Sequence, residues 1–172
     1  MTRMTRTALA VLLGLGSCLA AHDARAACTG LGIFSCSATV SVLAPLAFGN
    51  YNPGNATPTS NTTTVRVVGT VTGLGVLVTL SYSIGLNAGT GGSIANRQLN
   101  GPSTTPLAYN LYTSNAYATV WGNGTVTDSY SALASLGGNS TTRNYTVYGR
   151  IPAGQYVAPG SYGNTITVTV IY

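Results

Sequence analysis

Beyond residue 26 the chain has one carboxylate side chain, Asp128, two cysteines, Cys28 and Cys36, and no His, Lys or Glu. Each absence closes a route to chemistry. Glycoside hydrolysis uses two facing carboxylates, and Asp128 stands alone. A serine or tyrosine nucleophile needs a neighbouring base, most often His, and Schiff-base chemistry needs Lys. A metal site would need more ligands than these three residues supply. No catalytic residue, no metal and no cofactor is expected, and the chain does not read as an enzyme.

The basic groups are equally unpromising as a recognition surface. Arg66, Arg97, Arg143 and Arg150 against Asp128 leave a net charge of +3 beyond residue 26. The arginines are scattered, so no nucleic-acid groove is expected. Gly89-Thr90-Gly91-Gly92 sits in a long glycine-rich stretch, residues 85–106, that reads as a flexible loop. Neither a P-loop lysine nor a helix follows it, so no phosphate is cradled there and no small-molecule substrate is expected. What remains is Trp121 and eleven tyrosines, groups suited to contact rather than catalysis. Tyr109, Tyr112 and Tyr148 fall in strand-like runs and are expected in packing, as is Trp121. Tyr117, Tyr130 and Tyr156 lie near turns and are expected at the surface.

The elements that must hold these groups begin after an export signal. Arg3 and Arg6 precede a short apolar run, residues 7–21, and Ala24-Arg25-Ala26 offers a cleavage site, so residues 1–26 read as a secretory signal. Leu15-Gly16-Ser17-Cys18 offers a weaker alternative, a lipoprotein box acylated at Cys18. The remaining 146 residues suit one domain, residues 27–172. In an exported chain the pair Cys28 and Cys36 most simply forms one disulfide, closing a short loop.

The body of the chain reads as short strands punctuated by Gly, Asn, Pro, Ser and Thr. Alternation at Ala38, Val40 and Val42 opens the first. Val65, Val67 and Val71 share one face of the next, residues 62–71, and Val76, Val78, Leu80 and Tyr82 one face of a third, residues 76–83. Residues 107–114 and 117–122 suit a hairpin turning at Ser114-Asn115. Residues 144–151 make another strand, and Ile166, Val168 and Val170 alternate with threonines in a last one, residues 165–172. No helical stripe is present, so the expected class is all-β, a β-sandwich. The closing strand carries no charge or proline to blunt its edge, which is the property of a surface that recruits other strands.

Six short motifs in one order bear on what that surface does. Cys36-Ser37-Ala38, Leu46-Ala47-Phe48-Gly49-Asn50-Tyr51 and Leu107-Ala108-Tyr109-Asn110-Leu111-Tyr112 come first. Val120-Trp121-Gly122-Asn123-Gly124, Tyr145-Thr146-Val147-Tyr148-Gly149-Arg150-Ile151 and Gly160-Ser161-Tyr162-Gly163-Asn164-Thr165-Ile166 follow. Together the chain resembles the spore coat protein U family over residues 36–172. That family includes a secreted spore coat protein and the pilin subunits of archaic chaperone–usher pili. The resemblance implies an immunoglobulin-like sandwich lacking its final strand. In the pilin branch a periplasmic chaperone fills the resulting groove, and the N-terminal arm of a neighbouring pilin subunit later replaces it at an outer-membrane usher. By the same resemblance, Ile166, Val168, Val170 and Tyr172 would line the groove, with Val40 and Val42 as the opposite wall.

Two departures matter. Family members often carry a cysteine near the end of the second strand that pairs with the one corresponding to Cys36. Here Gly69 stands in that place, and Cys28 is the substitute partner. A polymerising pilin also needs a donor arm of about ten alternating residues. Residues 27–36 offer only Leu31 and Ile33 in a glycine-rich loop. The expected role is therefore a structural subunit of a surface fibre that accepts a strand without donating one. A tip or terminal subunit serving adhesion and biofilm formation fits best, although tip subunits of the family usually have two such domains. The alternatives are a self-assembling spore or cell coat protein and a stand-alone secreted binding module with a closed sandwich.

Overall fold

A computed structural model describes residues 27–172. The expected signal segment, with Cys18 and the Ala24-Arg25-Ala26 site, lies outside the described residues. Seven strands form: β1 (Ala27–Val42), β2 (Thr59–Leu86), β3 (Arg97–Leu99), β4 (Leu107–Tyr112), β5 (Val126–Ala134), β6 (Asn139–Ile151) and β7 (Val168–Ile171). Among the described residues there is no helix. The order is β1-β2-β6-β4-β3, and β5 and β7 both pair with β2.

β2 organises the molecule. At 28 residues it is several times the usual strand length, and it joins the two runs that periodicity separates. Its first half pairs with β6, from Thr59↔Ile151 to Val71↔Asn139. Its second half pairs with β5, from Gly75↔Ala134 to Ile84↔Val126, and with β7, from Ser83↔Ile171 to Leu86↔Val168. β1 accompanies both halves, from Ala27↔Ser81 to Val42↔Val65.

This β1–β2 ribbon doubles back on itself. Eight residues of straight strand would span about 26 Å, yet the Cα atoms of Cys28 and Cys36 lie 6.3 Å apart and the two cysteines form a disulfide. Glycine makes the bend possible. Gly32 and Gly73 have φ values of 119° and 122°, and a Cβ at Gly73 would lie 2.4 Å from the Ile33 carbonyl oxygen.

Folding the ribbon brings the two halves of β2 face to face. Val65, Val67 and Val71 from one half meet Val78, Leu80 and Ile84 from the other, joined by Val147, Ile151, Leu107, Leu111 and Trp121 in one core. Gly69 lies where the layers meet: a Cβ there would fall 2.6 Å from the Tyr130 ring and 2.8 Å from Leu80. The place where a cysteine would stand is thus filled by a tyrosine from the opposite layer. The fold is an all-β, curled and open sheet, an incomplete immunoglobulin-like sandwich.

The structure departs from the sequence reading at several points. Residues 117–122 form no strand, and the expected hairpin is reduced to a bridge between Tyr112 and Val120. Val76 is exposed rather than sharing the buried face of Val78 and Leu80, because the register shifts between Gly75 and Val78. Residues 126–134 lack a marked apolar alternation yet form β5, because the ladder to β2 and the inward Tyr130 hold them. Tyr130 is consequently buried rather than exposed. The glycine-rich stretch 85–106 is no simple flexible loop, since it contains β3 and a fully buried Arg97. The Arg97 guanidinium donates to the carbonyls of Asn87, Ile94, Leu86 and Trp121 and to Asn110 Oδ1, so its five N–H groups all find acceptors. The other tyrosines follow expectation more closely: Tyr109 is buried, Tyr112 pairs with Tyr148 across β4 and β6, and Tyr156 is exposed. Tyr117 is half-buried under Arg150, whose guanidinium carbon sits 4.7 Å from the ring centre.

Candidate functional site

Among the described residues β1 and β7 are each paired along one edge, in both cases with β2. Beside these strands runs an apolar cleft of about 1110 Å³, larger than a typical small-molecule pocket. Its floor is the core itself: Val65, Leu86, Leu107, Leu111, Val147 and Ile151 line it, each at most 3% exposed.

One wall is residues 42–51. After Val42 the chain leaves the β1 ladder, and Leu46 and Phe48 turn inward over Gly149. A side chain at residue 149 would clash with both, its Cβ 2.5 Å from Leu46 and 2.8 Å from Phe48. Phe48 stands edge-on to Tyr109, with ring centres 5.9 Å apart. The backbone of this wall is pinned from β2, because the Asn61 amide donates to the Ala47 carbonyl and the Thr63 hydroxyl to the Ala44 carbonyl. At its far end the Tyr51 hydroxyl donates to the Pro152 carbonyl and accepts from the Gln155 N–H.

The other wall is residues 157–168. Asn164 fastens it: its Oδ1 accepts from the Thr90 N–H and hydroxyl, and its amide donates to the Ala88 carbonyl and the Tyr109 hydroxyl. Asn100 and Gly163 exchange both backbone hydrogen bonds at 2.9 Å. The Thr167 N–H is taken by Asn87 Oδ1, so β7 begins only at Val168. The expected strand 165–172 is in consequence shortened to Val168–Ile171.

Of the residues expected to line a groove, Val42, Ile166 and Val168 lie together around this cleft. Val40 pairs with Val67, Val170 pairs with Ile84, and both pack half-buried against the core outside the cleft lining. Tyr172 borders a separate shallow hollow with Tyr82 and Asp128. Leu46, Phe48, Val157 and Tyr162 complete the walls. Leu46, Phe48 and Tyr162 fall within the motifs that carry the family resemblance, but nothing in the sequence singles them out as lining, and Val157 lies outside those motifs.

The lining contains no charged side chain. Of its tyrosines, Tyr109 has its phenol pushed up by burial, against the opposing influence of Asn164 and Arg97. The chemistry such a surface supports is apolar contact along its floor and backbone pairing along its open edges.

Asp128 lies elsewhere, in a closed hydrogen-bond chain. Arg143 Nη1 approaches its two oxygens at 2.9 and 3.1 Å, Tyr145 donates to it, and the Ser129 N–H caps it at 2.7 Å. Tyr145 in turn shares a hydrogen bond with Tyr82. Burial, then the Asp128 and Tyr82 contacts, push the Tyr145 phenol far up, which keeps it a donor. Among the described residues no group of three or more His, Cys, Asp or Glu comes together.

Comparison with known proteins gives one match across nearly the whole chain: the family model for the Spore Coat Protein U domain covers residues 23–169. No curated protein matches the chain. Among solved structures, one similar chain belongs to the CsuC–CsuE chaperone–tip adhesion subunit pre-assembly complex from the archaic chaperone–usher Csu pili of Acinetobacter baumannii. It is 20% identical with a TM-score of 0.40, the alignment covering 79% of this chain and 40% of that one. This chain therefore spans less than half of that neighbour's length.

Proposed function

Because the chain belongs to the Spore Coat Protein U domain family, we propose that it is an exported structural subunit of a bacterial surface fibre, an archaic chaperone–usher pilus, assembled by donor-strand complementation. The observation that carries this reading is the cleft whose floor is the hydrophobic core and whose flanking strands keep unpaired edges. An extended apolar strand inserted there pairs with a backbone edge and packs its side chains against the apolar cleft lining. The occupant is first a periplasmic chaperone and then, at the outer-membrane usher, the arm of a neighbouring pilin subunit. Val42, Ile166 and Val168 meet it directly, while Val40, Val170 and Tyr172 hold the strands that frame it.

The N-terminal segment supports an accepting role. Residues 27–34 are consumed in the ladder with β2, and the disulfide holds them in the fold-back. Residues held in this ladder and by this disulfide are not available to pair with another subunit. The subunit then sits at the tip or terminus of the fibre, where it serves adhesion and biofilm formation.

Export to a periplasm, alone and with the cognate chaperone, tests the reading. The expected result is aggregation or loss of the chain alone and recovery as a one-to-one complex with the chaperone. A soluble monomer that unfolds cooperatively in urea without any partner would instead favour a stand-alone module with a closed sandwich.

A further inference from the structure

The outer curve of the β1–β2 fold-back is covered with aliphatic side chains. Leu31 pairs with Val76 and Ile33 with Leu74, two positions apart in the ladder with Gly32↔Gly75 between them, so the four share one face and form a strip. They are 66%, 50%, 86% and 65% exposed, and Leu77 beside them is 74% exposed. The strip continues onto β5, which reaches the same bend through Gly75↔Ala134 and the Gly73 N–H to Ser135 carbonyl bond. There Leu133 and Leu136 are 63% and 77% exposed. Seven of the eleven large apolar side chains exposed among the described residues thus gather at one end of the molecule. The largest exposed apolar patch of a monomer, typically roughly 300–600 Å², is often functional.

The composition of the patch indicates its partner. Protein–protein hot spots favour Trp, Tyr and Arg and are poor in Leu and Val; here every large side chain is Leu, Ile or Val. Residues 27–65, 67–96 and 129–142, which supply the whole tip, contain no charged side chain. Nothing in it complements a polar or charged surface, and hydrocarbon is the partner it fits. The tip is also rigid, with Cys28–Cys36 bridging its base and glycines packed at the bend. It lies nine residues along β1 from Val42 at the cleft, about 30 Å of strand, so the cleft can be filled while the tip stays bare.

We propose that this uncharged aliphatic tip inserts into the acyl-chain region of a lipid layer, anchoring the protein by apolar contact without headgroup charge. The inference stands apart from the fibre reading and does not depend on which strand fills the cleft.

The test is flotation of the exported, processed chain, in whatever form it is soluble, with vesicles of neutral phosphatidylcholine. Wild type is expected to float with the vesicles equally at low and high salt, because the arginines lie outside the tip. Ile33→Ser with Leu74→Ser is expected to reduce the bound fraction at least tenfold while leaving thermal unfolding unchanged. Leu133→Ser with Leu136→Ser, on a different strand, provides the same readout should the first pair disturb folding. Wild type remaining in the dense fraction would overturn the proposal, as would variants that float like wild type. Binding that requires anionic lipid and collapses with salt would overturn it in favour of the arginines. Adsorption to polystyrene without vesicle binding, or a concentration-dependent dimer abolished by the same variants, would assign the tip to a solid surface or a second copy instead.

Discussion

At the scale of single residues, polar groups in this protein serve as fasteners. Arg97 is the strongest case, a cation with no carboxylate partner among the described residues, whose burial pushes its pKa down but whose fork meets an acceptor with every N–H. Lysine has three donors in a compact head and cannot span the Leu86, Trp121 and Asn87 carbonyls. Arg97→Lys should therefore leave buried carbonyls unpaired and cost about 3 kcal/mol, read as a lowered urea midpoint of the soluble form. Asp128 makes a pH prediction. Burial raises its pKa, but Tyr145, the Ser129 N–H and Arg143 together outweigh that and hold it below the ordinary carboxylate value. A depressed folded-state pKa contributes stability that is present above the unfolded value, about 4, and lost as pH falls through the folded value. Urea midpoints should fall as pH drops below about 4 in the native chain, and part of that slope should vanish in Asp128→Asn.

At the scale of elements, β7 and the two cleft walls decide what the protein can accept. β7 is four residues long and attached to the sandwich along one edge, so it relies on the apolar face of Ile166, Val168 and Val170 for the rest of its hold. Val168 touches both the core and the cleft. Val168→Asp would place a carboxylate on the surface an incoming strand must cover, where an unpaired charge is expensive to desolvate. It should lower recovery of the chaperone complex at least tenfold. Thr169→Asp, on the exposed face of the same strand, should leave recovery within twofold. Equal losses from both would argue that β7 is needed only for folding.

At the scale of the whole molecule, one ribbon bent back on itself makes both layers, and the disulfide closes the bend. Cross-linking Cys28 to Cys36 encloses nine residues, which in the chain-entropy account is worth about 2.6 kcal/mol. Replacing both cysteines with serine should lower the urea midpoint by about that amount. The loss should be larger for the chain alone than for a complex whose cleft is filled, because the occupant supplies the missing layer. Comparing the two forms by urea unfolding checks this.

Much of this was legible from residue order. Alternation at Val65, Val67 and Val71, at Val78 and Leu80, and at Ile166 and Val168 reports which side of a strand faces the core, because side chains change face at every step. The shortage of ionisable groups, the pair of cysteines and the absence of a helical stripe are properties of composition and need no fold. Alternation carries no information about which layer a strand joins. That depended on the bend at Gly32 and Gly73, a matter of backbone torsion and of contacts between residues far apart in the chain. The bend set Tyr130 over Gly69, and long-range packing drew Arg97 into the interior and turned Leu46 and Phe48 into a wall of the cleft. It also turned Leu31, Ile33, Leu74 and Val76 outward, since the convex side of a folded ribbon has no second layer to cover it.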